Sequence, residues 1–138
     1  MQHSILVGTS KGLVIFDDHQ NKFQISKVHF PGFPVSMAFV DERDDTWWVS
    51  LSHKHWGEKL HYSRDKGKAW LAANLPSYST YNYRPNIPAT LKKIWVMSHA
   101  GKNIADGLWL GSEPGGLFFS DDNGTTFSLN EGLWNHPS

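Results

Sequence analysis

The sequence contains no cysteine, no long apolar run and no net charge, and each absence removes a class of protein. Without cysteine, neither disulfide bonds nor zinc–thiolate sites can form. The longest apolar run, residues 69–73, is too short for a membrane-spanning helix or a signal peptide. The 13 Lys and Arg residues balance 13 Asp and Glu residues, so no nucleic-acid partner is indicated. We therefore predict a soluble, cytoplasmic protein that binds neither membranes nor nucleic acids.

Windows long enough for a helix are also nearly absent, because 12 Gly and 7 Pro residues divide the chain. Aromatic residues are plentiful, and the 7 Trp and 8 Phe can supply much of a core. Short runs of β-forming residues recur between turn residues and predict an all-β fold. The predicted strands are 4–8, 13–17, 23–29, 36–40, 47–52, 60–63, 69–72, 94–98, 108–112, 116–120 and 126–129.

An internal repeat joins residues 60–70 to residues 117–127 without a gap. Both segments contain the pattern Ser-x-Asp-x-Gly-x-x-aromatic. The matching pairs are Ser63 and Ser120, Asp65 and Asp122, Gly67 and Gly124, and Trp70 and Phe127. A third, degraded copy begins at Gly12 and keeps Asp18 and Phe23, but Phe16 and Gln20 replace its serine and glycine.

The pattern is typical of a hairpin corner. The Asp carboxylate can accept hydrogen bonds from nearby backbone N–H groups, and the glycine can adopt a left-handed conformation. The aromatic residue then begins the next strand and packs between neighbouring sheets. We therefore assign these residues a structural role and predict no catalytic group among them.

The repeat resembles the Asp-box, or BNR, repeat of sialidases, sortilin-like receptors, photosystem-assembly propellers and bacterial proteins described as glycosyl hydrolases. Segment 108–124, followed by residues 132–137, is most similar to the bacterial propellers. This resemblance implies a partial β-propeller of about three blades. Each blade would be a four-stranded antiparallel sheet with the box between its third and fourth strands. The implied blades are 4–30, 35–75 and 93–130.

The first implied blade has three strands and lacks its innermost one. Propellers typically have about four to eight blades, so we expect an N-terminal fragment of a longer protein. Self-association is the alternative, because unpaired sheet edges favour association and two copies would supply six blades.

The resemblance implies a ligand-binding or scaffold propeller, with a carbohydrate or a protein as the ligand. The alternative is a sialidase-like glycoside hydrolase that is active only in the complete propeller. Sialidases use three arginines, a tyrosine nucleophile and an acidic residue. The only arginines are Arg43, Arg64 and Arg84. Arg64 lies inside a box and Arg43 lies in an acidic turn, where a solvated ion pair is the simpler interpretation, so we expect no catalysis by this chain alone.

The long link 74–93 is the best candidate for ligand binding. Its tyrosines offer flat contact faces, and its arginine offers a fork for an anion. The alternative interpretation is a packed loop that closes one end of a blade. The candidate binding residues are Tyr78, Tyr81, Tyr83 and Arg84.

Two further segments have some features of metal sites. His53 and His55, with His61 on the following strand, have no supporting carboxylate at ligand spacing, so solvated histidines are the simpler interpretation. Residues 121–124 lack the alternating ligands and the terminal glutamate of a calcium loop. We therefore predict no metal and no cofactor.

Overall fold

A computed structural model describes residues 3–78 and 90–136 and has the all-β fold predicted from the sequence. The strands are β1 Ser4–Thr9, β2 Gly12–His19, β3 Lys22–His29, β4 Val35–Asp41, β5 Thr46–His53, β6 Gly57–Ser63, β7 Leu71–Ala72, β8 Lys93–His99, β9 Leu108–Glu113, β10 Gly116–Ser120 and β11 Ser128–Leu129. The helix α1, Glu131–Trp134, has four residues. Within the two described ranges, no helix has the length and apolarity needed to span a membrane.

The strands form three antiparallel sheets in the orders β1-β2-β3, β4-β5-β6-β7 and β8-β9-β10-β11. The strands that follow the two boxes are shorter than predicted, because the preceding residues are held in turns. The N–H of Ala69 donates to the Asp65 carboxylate, and the N–H of Thr126 donates to the Asp122 carboxylate. These bonds replace the ladder bonds that a longer β7 or β11 would need.

Antiparallel pairing collects the turns at two opposite ends of the sheets. The box end carries the turns 20–21, 42–45, 64–70, 100–107 and 121–127, and the loop end carries 10–11, 30–34, 54–56, 73–78, 90–92, 114–115 and α1. The box end of one sheet contacts the box end of the next, since Arg43 of sheet two donates a hydrogen bond to the Gly107 carbonyl of sheet three. At the loop end, Glu58 accepts a hydrogen bond from the N–H of Ile94. The three sheets therefore share a common pair of ends.

Two apolar seams hold the sheets face to face, as in a propeller. The first seam joins sheets one and two and contains Leu13, Ile15, Trp47, Val49 and Leu51. The second joins sheets two and three and includes Met37, Trp48, Leu60, Ile94, Met97, Leu108 and Leu110. Neighbouring residues of β5 alternate between the seams, because successive side chains of a strand point to opposite faces. The core therefore lies between the sheets.

The repeat and the packing together identify equivalent strands in the three sheets. Leu13, Leu60 and Leu117 occupy the same position in the repeat. Leu13 packs in the seam with sheet two, and Leu60 packs in the seam with sheet three. Strand β2 thus corresponds to β6 and β10, and β1 corresponds to β5 and β9. Among the described residues, the first sheet therefore has no strand equivalent to β4 and β8, the innermost strands of the other two sheets, as predicted.

The aromatic residues of the two boxes are half-buried. Trp70 packs against the first seam, and its indole N–H donates to His29 Nδ1 over 3.2 Å. Phe127 packs against the second seam. The largest fully enclosed ring is Trp48, which is 2% exposed. The seams therefore depend on strand residues as well as on the box aromatics.

Candidate functional site

The first box turn is built from short-range hydrogen bonds. Ser63 Oγ donates to Asp65 Oδ1 over 2.8 Å and accepts from the N–H of Gly67 over 2.8 Å. Asp65 Oδ1 also accepts from the N–H of Ala69 over 2.9 Å. Gly67 has φ +86°, a left-handed conformation that favours glycine. The carboxylate of this turn is thus occupied by the chain's own donors.

The second box turn has the same bonds. Ser120 Oγ donates to Asp122 Oδ1 over 2.7 Å and accepts from the N–H of Gly124 over 2.8 Å. The hydroxyl and the N–H of Thr126, together with the Ser120 hydroxyl, lower the pKa of Asp122 to about 2. A Cβ on Gly124 would lie 2.3 Å from Trp48 Cη2, so only a glycine lets this turn approach sheet two so closely.

The degraded third copy forms a different turn. His19 pairs with Lys22, and the two residues between them, Gln20 and Asn21, have φ of 53° and 65°. This is the two-residue hairpin geometry that suits the twist of antiparallel strands. Asp18 Oδ1 is buried and has no hydrogen-bond partner within the described residues, in contrast to the carboxylates of the two boxes.

A guanidinium joins sheets two and three at the box end. Arg43 Nε and Nη2 donate to the two oxygens of Asp41 over 2.9 and 2.7 Å. Its Nη1 donates to the Ile104 carbonyl and its Nη2 to the Gly107 carbonyl, both over 2.9 Å. Burial disfavours the Asp41 carboxylate, but the bonds and the charge of Arg43 hold the pKa of Asp41 below its ordinary value. The Arg43 side chain is only 14% exposed, which corrects its interpretation as a solvated ion-pair partner.

At the loop end, one of the four candidate binding residues lies in the described ranges. Tyr81, Tyr83 and Arg84 fall outside them. Tyr78 is buried, and its hydroxyl is hydrogen-bonded to Ser112 Oγ over 2.8 Å and donates to the Pro114 carbonyl over 2.7 Å. Its ring centroid lies 4.9 Å from that of Trp134, and burial raises the pKa of its hydroxyl. These contacts match the packed-loop interpretation for Tyr78.

The loop end also contains a buried carboxyl group that sequence reasoning did not single out. Glu58 Oε2 accepts hydrogen bonds from Ser36 Oγ, over 2.7 Å, and from the N–H of Ile94. The other oxygen, Oε1, is buried with no hydrogen-bond partner in the part of the chain that the structure describes. Burial raises the pKa of Glu58, and the Ile94 N–H, the hydroxyls of Ser36 and Ser52 and the charge of Lys93 only partly offset this effect.

An exposed tryptophan stands on the β5–β6 hairpin. Trp56 is 67% exposed, and its ring stacks on His53 with centroids 4.3 Å apart and an angle of 23° between the planes. His53 Nδ1 accepts the N–H groups of His55 and Trp56, over 3.0 and 3.3 Å. Phe33 lies near the same imidazole at 5.6 Å. Sequence reasoning also missed Trp56, although a tryptophan inside a short predicted turn was the available signal.

The three histidines that were weighed as metal ligands have different surroundings. His53 contacts Trp56, whereas His61 is half-buried with its ring 5.2 Å from that of Phe30. Burial lowers the pKa of His61. Among residues 3–78 and 90–136, no group of three or more histidine, aspartate or glutamate side chains has an arrangement that could hold a metal ion.

The balanced charges of the chain are unevenly distributed between the two ends. Every acidic residue except Glu58, Glu113 and Glu131 lies in a box-end turn or in a strand end that leads into one. The lysines at the loop end are Lys11, Lys54, Lys59, Lys92 and Lys93. The box end is therefore predominantly acidic, and the described loop end is predominantly basic.

The comparisons with known proteins identify the fold. No family model matches the chain, and no curated protein sequence matches it either. A solved structure that resembles it is "YCF48 bound to D1 peptide", with a TM-score of 0.52 and 10% sequence identity. The match covers 93% of this chain and 44% of that one, so the chain spans less than half the length of that propeller. The chain is a partial β-propeller.

Proposed function

We propose that this chain is the ligand-binding part of an Asp-box β-propeller and that its loop end binds a peptide segment of a protein partner. The blades of this propeller are 4–30, 35–75 and 93–130. The observation that carries the proposal is the loop end itself, where Trp56 and Trp95 are exposed beside lysines. Exposed aromatic rings with flanking polar groups are typical of protein contact sites.

Two further observations support this proposal. The shared hydrogen bonds of the two turns, with Ser, Asp and Gly in corresponding places, favour membership of the Asp-box class. The solved propeller of similar fold is named for its complex with a peptide, which favours a peptide over a carbohydrate as the ligand.

Selection of peptides from a displayed random library on the full chain tests the function. We expect selected peptides to lose binding when Lys11 and Lys93 of the loop end are changed to glutamate. The matched changes Lys66→Glu and Lys102→Glu at the box end should leave binding intact. Failure to select any peptide, or peptides blocked only by the box-end changes, would count against the proposal.

A glycoside hydrolase is the second candidate, and Glu58 is the observation that favours it. A buried carboxyl with a raised pKa has the property required of a general acid. Its hydrogen-bond partners are Ser36 and the N–H of Ile94, whereas glycoside hydrolysis generally needs a second carboxylate or a tyrosine nucleophile. Hydrolysis of a chromogenic glycoside, abolished by Glu58→Gln, would favour this candidate over the binding function.

A second copy of the chain is a further partner that the outer faces could accommodate. Trp109 of β9 is 36% exposed, whereas the equivalent Trp48 of β5 is covered by sheet three. On the opposite outer face, Ile5 and Val7 are exposed at positions equivalent to the buried Trp47 and Val49. Sedimentation of the full chain tests this association. A monomer at all concentrations would contradict it, and Trp109→Glu should dissociate any oligomer that forms through this face.

A further inference from the structure

The ring of Trp56 is fixed in place although most of it faces solvent. One ring face stacks on His53, and the backbone N–H of Trp56 donates to the Nδ1 of that histidine. The N–H of His55 donates to the same nitrogen, which holds the imidazole in the orientation that supports the indole. Phe33, from the link between sheets one and two, contacts His53. We name Phe33, His53 and Trp56 the Trp56 platform.

This arrangement lowers the entropy cost of binding. Tryptophan has two rotatable side-chain bonds, and stacking already restricts both before a ligand arrives. A preorganised indole with an uncovered surface is the kind of anchor that supplies most of the energy of a protein contact. Since the ring fills no seam, its position has no evident role in the core.

The charge around the Trp56 platform has one sign. Lys54 and Lys59 are exposed on and beside the hairpin. Lys11 lies close by in the chain fold, because its carbonyl accepts the N–H of Gly32, next to Phe33. The only acidic residue in segments 30–34 and 53–59 is Glu58, which is buried and bonded to sheet three. A ligand on the platform therefore meets lysine ammonium groups and no exposed carboxylate from these segments.

We propose that the Trp56 platform is a docking site for an acidic peptide, which places an apolar side chain on the indole and carboxylates beside Lys54 and Lys59. This inference rests on the proposed peptide-binding function and specifies its site and ligand chemistry. Both arginines of the described ranges, Arg43 and Arg64, lie at the box end. The cations of the described loop end are therefore lysine ammonium groups, which pair with carboxylates as point charges. The balance of 13 basic and 13 acidic residues in the chain favours a peptide over a nucleic acid.

Fluorescence anisotropy with labelled synthetic peptides tests the docking site on the full chain. The probe is a peptide of alternating glutamate and phenylalanine, compared with a version that carries glutamine in place of glutamate. We expect the acidic probe to bind more tightly and Trp56→Ala to weaken it by about tenfold or more, as at an anchor residue. The double change Lys54→Gln and Lys59→Gln should weaken it severalfold and reduce the salt dependence of binding.

Phe23→Ala is the matched control, since it removes another exposed aromatic ring, from the box end of a different sheet. Circular dichroism should show that Trp56→Ala and Phe23→Ala keep the native fold. Equal binding of the two probes, an unchanged affinity in Trp56→Ala, or displacement of the acidic probe by an oligonucleotide would overturn the docking site. If library-selected peptides still bind the loop end in that case, the proposed function stands and only the Trp56 platform is rejected. If none binds, both fail.

Discussion

The two ends of the sheets use their polar and aromatic side chains in opposite ways. At the box end, the carboxylates of Asp41, Asp65 and Asp122 are bonded to groups within the chain. At the loop end, one oxygen of Glu58 has no partner among the described residues, and Trp56 is exposed. The bonded carboxylates stabilise the box end, with Asp18 as an exception, because its buried Oδ1 has no partner among the described residues. At the loop end, Glu58 is buried and the exposed indole of Trp56 is the group that a ligand can contact. The bonds at the box end stabilise the fold, and the exposed aromatic rings of the loop end are the basis of the proposed peptide binding.

The three loop-end hairpins show why these roles separate. Turns 10–11, 54–56 and 114–115 occupy equivalent places in the three sheets, but they differ in length and sequence and share only the glycine that follows each of them. The two complete boxes at the other end retain their serine, aspartate and glycine. The box turns need serine, aspartate and glycine together at a fixed spacing. Each loop-end turn is instead held by a different side chain, such as Thr9 in sheet one and His53 in sheet two, so the sequences of these turns can differ.

The largest expected effect comes from a pair of tryptophans. Trp48→Ala should lower the free energy of unfolding by about 4 kcal/mol, because it removes a fully enclosed ring from the second seam. Trp56→Ala should change it by less than about 0.5 kcal/mol, because that ring is largely exposed. Urea unfolding of both variants provides the measurement. Similar losses in the two would remove the distinction between the ends.

Removal of the box-end guanidinium should have the next largest effect. Arg43→Ala leaves the buried Asp41 carboxylate without its charged partner and removes one hydrogen bond from each of three carbonyls of loop 100–107. We expect a loss of about 3 kcal/mol in unfolding free energy, the scale for a broken buried ion pair. Lys54→Ala at the loop end is the control, with an expected change near zero. A loss below about 1 kcal/mol would show that water replaces Arg43 easily.

Two glycines with left-handed backbone test the same contrast at smaller magnitude. Gly124→Ala should cost about 2 to 3 kcal/mol, because its Cβ would collide with Trp48 in addition to the backbone strain. Gly57 has φ +72° and open space around it, so for Gly57→Ala only the strain of about 1 kcal/mol is expected. Thermal unfolding monitored by circular dichroism compares the two. Equal costs would mean that the Gly124 turn moves away from Trp48.

The smallest expected effects are opposite pH dependences. The pKa of Asp122 is depressed from 3.8 to about 2, so its contribution is present above pH 3.8 and is lost as the pH falls toward 2. The pKa of Glu58 is raised above 4.5, so stability is lost as the pH rises from 4.5 through its folded-state pKa. Lys93, the charge that acts on Glu58, limits this loss.

Urea unfolding at a series of pH values measures how the free energy of unfolding depends on pH. Asp122→Asn should reduce the loss of unfolding free energy below pH 3.8, and Glu58→Gln should reduce the loss above pH 4.5. If Asp122→Asn left the loss of unfolding free energy at low pH unchanged, other carboxylates such as Asp65 would have to account for the whole of that loss. A Glu58→Gln variant with an unaltered slope would show that the carboxyl group is solvated in solution.

Much of the fold could be predicted from the sequence because its causes are local. The alternation of β-forming runs with turn residues predicts eleven strands, and the resemblance of the repeat to the Asp box implies three sheets; the structure has both. The predicted strands at β7 and β11 were too long. The sequence patterns did not show that residues 68–70 and 125–127 belong to the box turns, where hydrogen bonds to Asp65 and Asp122 keep them out of the strands. Arg43 was misjudged for a similar reason, since its carbonyl partners come from loop 100–107.

The candidate site was less predictable. Tyr78 drew attention because tyrosines are common in binding loops, yet it packs between Phe118 and Trp134. Trp56 and Glu58 lie two residues apart on one hairpin, but one is exposed and the other is buried against sheet three. Residues two positions apart in a strand lie on the same face of the sheet. Trp56 and Glu58 do not, because Trp56 lies in the turn and β6 begins only at Gly57, which has a left-handed backbone.

The sequence alone determined the box turns, because their bonds span at most four residues and need only serine, aspartate and glycine at fixed spacing. It also determined the strands, through alternation and turn residues. Only the tertiary structure decided which side chains are buried, bonded or exposed, because burial and bonding depend on contacts between distant segments. Ile94 must reach Glu58 across 36 positions, and Gly107 must reach Arg43 across 64. Such contacts depend on how the sheets pack, and no local pattern encodes them.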